Sequence, residues 1–125
     1  MSILKFTTEH EWLRINADGS ATIGITEYAQ EQLGDIVYVE LPEINRHVEA
    51  RNNLVVIESV KAVGEVKLSV GGTIAEINPR LNDEPELVNQ APQTDGWLVR
   101  LVLDDPGVIE AMLDETAYRA FVASL

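Results

Sequence analysis

The chain contains no cysteine, which rules out disulfide frameworks, thiolate metal sites and cysteine nucleophiles. Its two histidines, His10 and His47, are too few for a histidine-rich metal centre. No apolar stretch reaches the roughly 18 residues that a membrane-spanning helix requires. Cationic residues are scarce: nine Lys and Arg stand against 21 Asp and Glu, a formal net charge of -12. Such a surface is repelled by phosphate backbones and anionic lipid, so neither nucleic acid nor a membrane is an expected partner. It fits better with basic surfaces on partner proteins, and it also keeps a protein soluble. Residues 1–6 lack the charged and apolar regions of a signal peptide. The expected location is the cytoplasm, or the mitochondrial matrix for a processed organellar form.

What is present is a 125-residue chain with 46% apolar content, enough for the core of one domain spanning residues 1–125. Leu13 and Ile15 alternate with polar neighbours, Asp18-Gly19 marks a turn, and Ala21, Ile23 and Ile25 alternate again, which is a hairpin signature. Thr26 is placed to cap a short helix through Tyr28, Ala29 and Leu33, closed by Gly34. A strand follows from Ile36 to Leu41 and stops at Pro42. Residues 45–53 read as a loop. Residues 79–96, punctuated by Pro79, Pro85, Pro92 and Gly96, read as a long irregular segment of the kind that is functional or wraps a core. Trp97 to Leu103 is a last strand, and Asp105-Pro106 opens a helical C-terminus. Asp114 offers an alternative start for a second short helix. Short strands with frequent turns predict a mainly β sandwich or flattened barrel, with a short helix in the N-terminal half and a helical C-terminus. The continuous apolar runs at 36–41, 54–57 and 97–103 suit strands buried on both faces or lying at a sandwich core.

Only three lysines occur, Lys5, Lys61 and Lys67. Lys61 stands in the run Glu58-Ser59-Val60-Lys61-Ala62-Val63-Gly64-Glu65-Val66. Leu54-Val55-Val56-Ile57 precedes it, and Val66, Leu68 and Val70 follow. The pattern is two strands joined by a tight turn with an ammonium at the tip, either an ordinary solvated hairpin or a covalent attachment point. Glu58 and Glu65 flank it, and nearby carboxylates favour the charged ammonium, the reverse of what a nucleophilic or Schiff-base lysine needs. They suit two other roles: recognition by a modifying enzyme, and reception of a cationic cargo once Lys61 is acylated. His10-Glu11 alone specifies nothing, and Trp12 reads as a core aromatic. No Ser-His-Asp set, glycine-rich phosphate loop or Cys/His cluster appears in the sequence. A carrier is indicated rather than a catalyst.

The motifs, taken in order, resemble the H-protein family of the glycine cleavage system. They are Glu9-His10-Glu11-Trp12, Gly24-Ile25-Thr26-Glu27-Tyr28-Ala29-Gln30, Leu33-Gly34-Asp35-Ile36-Val37 and Val39-Glu40-Leu41-Pro42. Glu58-Ser59-Val60-Lys61-Ala62, Pro85-Glu86-Leu87-Val88-Asn89 and Gly96-Trp97-Leu98 complete the set. Leu68-Ser69 stands where that family usually carries Ser-Pro, and Gly64 where a small polar residue is common.

The resemblance implies a barrel-sandwich hybrid fold with lipoate amide-linked to Lys61 as the cofactor. The arm would accept an aminomethyl group from a pyridoxal-phosphate glycine decarboxylase and deliver it to a tetrahydrofolate-dependent aminomethyltransferase. Dihydrolipoamide dehydrogenase would then reoxidise it. Lipoate ligase, or octanoyl transferase with lipoyl synthase, would install it. Glu11, Gln32 and Glu65 would line a cleft that shelters the loaded arm, and Glu58 would serve recognition by the modifying enzyme. Two alternatives accompany this reading: an H-like protein that relays lipoyl groups to other enzymes, and an unmodified β-sandwich interaction module. Lipoyl domains of 2-oxoacid dehydrogenases are shorter and lack the Glu-His-Glu-Trp segment. Biotin carriers flank their lysine with methionine, where this chain has Val60 and Ala62.

Overall fold

The alternating residues around Asp18-Gly19 pair as β2 (Glu11–Ile15) and β3 (Ala21–Ile25), with Leu13 opposite Ile23 in the register. A computed structural model describes this chain over residues 3–125. Met1 and Ser2, at the start of the segment read for a signal, lie outside the described residues. Their successors form β1 (Ile3–Phe6), which lies antiparallel to β2.

Beyond β3, Thr26 caps α1 (Glu27–Leu33) by accepting from the Ala29 N–H, and Gly34 closes the helix. The remaining strands are β4 (Ile36–Glu40), β5 (His47–Val48), β6 (Asn53–Ser59), β7 (Val63–Lys67), β8 (Gly72–Ile77) and β9 (Val99–Leu103). Two antiparallel sheets result, one ordered β1-β2-β3-β9-β8-β5 and the other β4-β6-β7. This is a β-sandwich with a helical C-terminus, as the sequence predicts. Between the sheets, Leu13, Ile23, Val39, Val55, Ile57, Ile74 and Leu101 are at most 1% exposed. Each such side chain contributes about 1.5–3 kcal/mol by leaving water.

Several expectations are corrected. The runs at 36–41 and 97–103 lie at the sandwich core but are not buried on both faces, since Val37, Tyr38 and Val102 are exposed. Each sheet has one inward face, and a bulge between Ile36 and Tyr38 shifts the phase of β4. The 45–53 loop contains β5, paired with β8. The segment 79–96 holds two single-turn helices, α2 (Arg80–Asp83) and α3 (Leu87–Gln90), which bury Leu81, Leu87 and Val88. Helices this short persist through tertiary contact rather than propensity.

The C-terminus divides as well. Asp105 caps a 3-10 helix (Pro106–Ala111), and Asp114 caps α4 (Glu115–Ala123). A second, smaller core joins α4 to the first sheet, with Phe6 and Tyr118 stacked at 4.6 Å beside Trp12.

Candidate functional site: the Lys61 hairpin and its cleft

The apolar residues of β6 and β7 pair across a tight turn, with Glu58 opposite Val63 and Ile57 opposite Gly64. Val60 and Lys61 form the tip. Neither has positive φ, so this is not one of the primed turns that suit two-residue hairpins. The Ser59 hydroxyl compensates: it accepts from the Ala62 N–H at 3.0 Å and the Lys61 N–H at 3.3 Å. The Val60 N–H donates to the Asp35 carbonyl at 3.0 Å, which lays the tip against the end of α1.

There the Lys61 side chain runs over Gly34. A Cβ at position 34 would stand 3.1 Å from Lys61 Cε, and the backbone there has φ +82°, a region that disfavours any side chain. A Cβ at Gly64 would stand 3.0 Å from Leu33 Cδ2. Two glycines thus keep open the passage from the lysine into a cleft of about 200 Å³. Ile25, Ala29, Leu33, Ile57 and Val66 supply apolar wall, and Glu9, His10, Glu11, Gln32 and Glu65 supply polar groups. A wider groove of about 450 Å³ continues past Glu9 and Glu11 along Thr7, Arg51 and Lys67.

Glu11, Gln32 and Glu65 therefore share one cleft, whereas Glu58 lies outside it, paired on the sheet with Tyr38 and Val63. Among the described residues no carboxylate comes within ion-pairing distance of Lys61 Nζ. Glu65 pairs instead with Lys67 at 3.3 Å, because these two alternate onto the same side of β7. Glu58 and Glu65 do flank the turn, one on each arm of the hairpin, but neither forms an ion pair with Lys61.

Glu11 is the unusual group. It is 4% exposed, and burial pushes its carboxyl up to about 7, with the Glu9 charge adding to the effect. The Thr7 hydroxyl, which donates to Glu11 Oε1 at 2.8 Å, and the Lys67 backbone oppose the rise. Next to it, His10 sits at φ +69°, and burial lowers its pKa. Its Nδ1 lies 2.8 Å from the Tyr118 hydroxyl, which in turn lies 2.7 Å from Thr26 Oγ1. Helix α4 thereby holds the cleft wall from behind.

Residue reasoning missed the part played by Asn89. Its Oδ1 accepts from the Ile36 N–H at 2.8 Å, and its Nδ2 donates to the Gly34 carbonyl and to Gln30 Oε1, both at 2.9 Å. One amide on α3 thus fixes the turn beneath Lys61. Asn89→Ala is expected to lower stability by about 1–3 kcal/mol, since three polar groups lose their partner in a half-buried place. Urea unfolding checks this, and a change below the measurement error would show that water replaces the amide.

The cleft thus joins an aliphatic wall to a set of carboxylates, an environment for a largely apolar chain that carries a cationic group. Comparison with known proteins gives the family. The family model for the glycine cleavage H-protein matches residues 4–125. A glycine cleavage system H protein of Chromohalobacter salexigens is 49% identical over 97% of this chain and 92% of its own. That of Parvibaculum lavamentivorans is 47% identical over 100% of this chain and 99% of its own. A crystal structure of a glycine cleavage system H protein from Mycobacterium marinum superposes with a TM-score of 0.85 at 31% identity, over 98% of this chain and 97% of that one. With the match running through both sheets, the hairpin and the C-terminal helix, this chain belongs to the glycine cleavage H-protein family.

Proposed function

We propose that this protein is a covalent carrier rather than a catalyst, with lipoate on Lys61, and that it serves glycine cleavage. The observation that carries this reading is a lone lysine on a hairpin tip, lying over Gly34 at the mouth of an apolar cleft that leads to carboxylates. When attached, the lipoyl dithiolane supplies a reducible disulfide that can take up a one-carbon amine cargo.

The chain's own residues bind, orient and exclude water. Ser59 fixes the tip from which the arm swings. Ile25, Ala29, Leu33, Ile57 and Val66 form a dry wall. Glu11 and Glu65 stand ready to hold an ammonium, and Glu11 gives up its proton more readily once a cation approaches. Gln32 adds an uncharged hydrogen-bonding group. Partners on this reading are a pyridoxal-phosphate glycine decarboxylase, a tetrahydrofolate-dependent aminomethyltransferase and dihydrolipoamide dehydrogenase. Lipoate ligase, or octanoyl transferase with lipoyl synthase, installs the cofactor. A tethered arm presents cargo to each of these at high effective concentration without tight binding.

Intact mass with peptide mapping, after co-expression with lipoate ligase and lipoate, tests the reading. A lipoyl increment confined to Lys61, absent from Lys61→Arg, is expected. An unmodified wild type would make the chain an interaction module. A modified protein that the decarboxylase cannot load would favour lipoyl relay.

A further inference from the structure

Glu65 already has a cation. Its carboxylate lies 3.3 Å from Lys67 Nζ, and both side chains are half-exposed. Glu65 lines the cleft and Lys67 the wider groove beyond it, so the pair crosses from one cavity to the other. The two cavities also share Glu9 and Glu11. Their Lys and Arg side chains are Lys67 and Arg51, and among the described residues Lys67 is the one paired with a lining carboxylate. The backbone at position 67 bears on the other acid, where it favours the ionised form of Glu11. One residue therefore acts on both carboxylates assigned to the cargo, its main chain at Glu11 and its side chain at Glu65. An exposed ion pair of this kind is weak, because water screens it and a long lysine stem loses freedom in forming it. The groove of about 450 Å³ gives that stem room to leave.

We propose that the Lys67 ammonium is a resident counter-ion for Glu65 that the arriving cargo displaces, and that it thereby sets how long the loaded arm stays sheltered. The inference rests on the reading of Lys61 as the lipoyl attachment site and of the cargo as a primary ammonium. Two ammonium groups at one carboxylate repel each other, so the cargo gains Glu65 only as Lys67 withdraws. Lys67 weakens the hold on cargo twice, by occupying the acceptor and by placing a like charge beside it. That cost has a use in a carrier. A cleft of unopposed carboxylates would keep its cargo from the acceptor enzyme, whereas a counter-ion that returns to Glu65 offsets part of what release costs. While the arm is empty, the same contact balances one of three neighbouring acids, Glu9, Glu11 and Glu65. Lys67 is a positioning residue here, since it works through Glu65 and touches no reacting atom.

The test follows loaded holoprotein by intact mass after the decarboxylase is removed, with no acceptor enzyme present. Lys67→Met keeps the aliphatic stem and drops the charge, and it is expected to slow cargo loss about threefold, the scale of one exposed ion pair. Lys67→Arg should behave as wild type. So should Arg80→Met, which removes a cation paired with Glu84 elsewhere. In a Glu65→Gln background, Lys67→Met should have a much smaller effect, which a merely structural role would not produce. A second readout involves no transfer: the side-chain NMR signals of Lys67 in lipoylated protein should move between the empty and the loaded arm. Lys67 is half-exposed, so the melting curve should hold, and Lys67→Gln replaces Lys67→Met if it does not. Cargo loss as fast as in wild type, or faster, would overturn the proposal, and so would a Lys67 signal that stays in place on loading. Failure of the decarboxylase to load wild type would be a different result, one against the glycine cleavage reading itself, and the proposal would fall with it.

Discussion

Trp12→Ala is expected to lower stability by about 3–5 kcal/mol, the range for removing a fully buried aromatic. Trp12 is 0% exposed, and its indole N–H donates to the Pro92 carbonyl at 2.9 Å. It pairs across the ladder with Gly24, where any Cβ would stand 2.7 Å from the ring, so the two positions are fitted to each other. The ring also packs in the small core with Phe6 and Tyr118. For a domain whose total stability is about 5–15 kcal/mol, this loss is a large share. The effect should extend to the cleft. Pro92 precedes Gln93, whose side chain accepts from the Glu27 N–H at the start of α1, and whose carbonyl accepts from Arg14. Urea unfolding followed by circular dichroism measures the loss. Trp12→Phe separates packing from hydrogen bonding, because it leaves the Pro92 carbonyl without its donor at a cost of about 1–3 kcal/mol. A loss below about 1 kcal/mol for Trp12→Ala would mean that the second core adds little to the stability of the fold.

Glu11→Gln is expected to stabilise the protein above neutral pH. The folded state raises this carboxyl from 4.5 to about 7, so between those values the native protein binds a proton that the unfolded chain has released. Stability therefore falls as pH rises through this window and levels off above it. One pKa unit corresponds to about 1.4 kcal/mol, which sets a ceiling of roughly 3 kcal/mol on the cost of holding Glu11 ionised. Glutamine keeps the acceptor for Thr7 and carries no charge, so the variant should gain most of that amount near pH 8 and almost nothing near pH 4. Unfolding free energies at the two pH values decide the matter, and an equal difference at both would show that burial does not perturb Glu11. The same variant should hold an amine cargo less well, the usual exchange between stability and a charged site.

The hairpin was legible because two apolar runs bracket a polar turn, a pattern that survives any tertiary context. The helix between Thr26 and Gly34 was legible from its caps. Glu11 was harder. Taken as a neighbour of His10 it says nothing, yet the period of two that joins Leu13 to Ile15 places Glu11 on the same inward side of β2. That phase is the signal that would have found a buried carboxylate. Asn89 left no such trace, because its three partners lie 53 to 59 residues away. Nor did the helices within 79–96, where proline and glycine mask turns that only packing sustains. Of the two readings the run 36–41 allowed, burial on both faces or a place at the sandwich core, the second holds; the exposure of Val37 and Tyr38 was hidden because a bulge breaks the alternation, and a bulge has no residue signature of its own.

Lys61 is rooted between two strands of the three-stranded layer, and Glu11 opens a strand of the six-stranded one. Among the described residues no ladder joins these layers; they meet through side chains. Whatever hangs from Lys61 and reaches Glu11 therefore lies along the seam of the sandwich. Its shelter is a property of how the two halves close on each other, so a substitution deep in the core, far from either residue, can alter how long a passenger stays aboard.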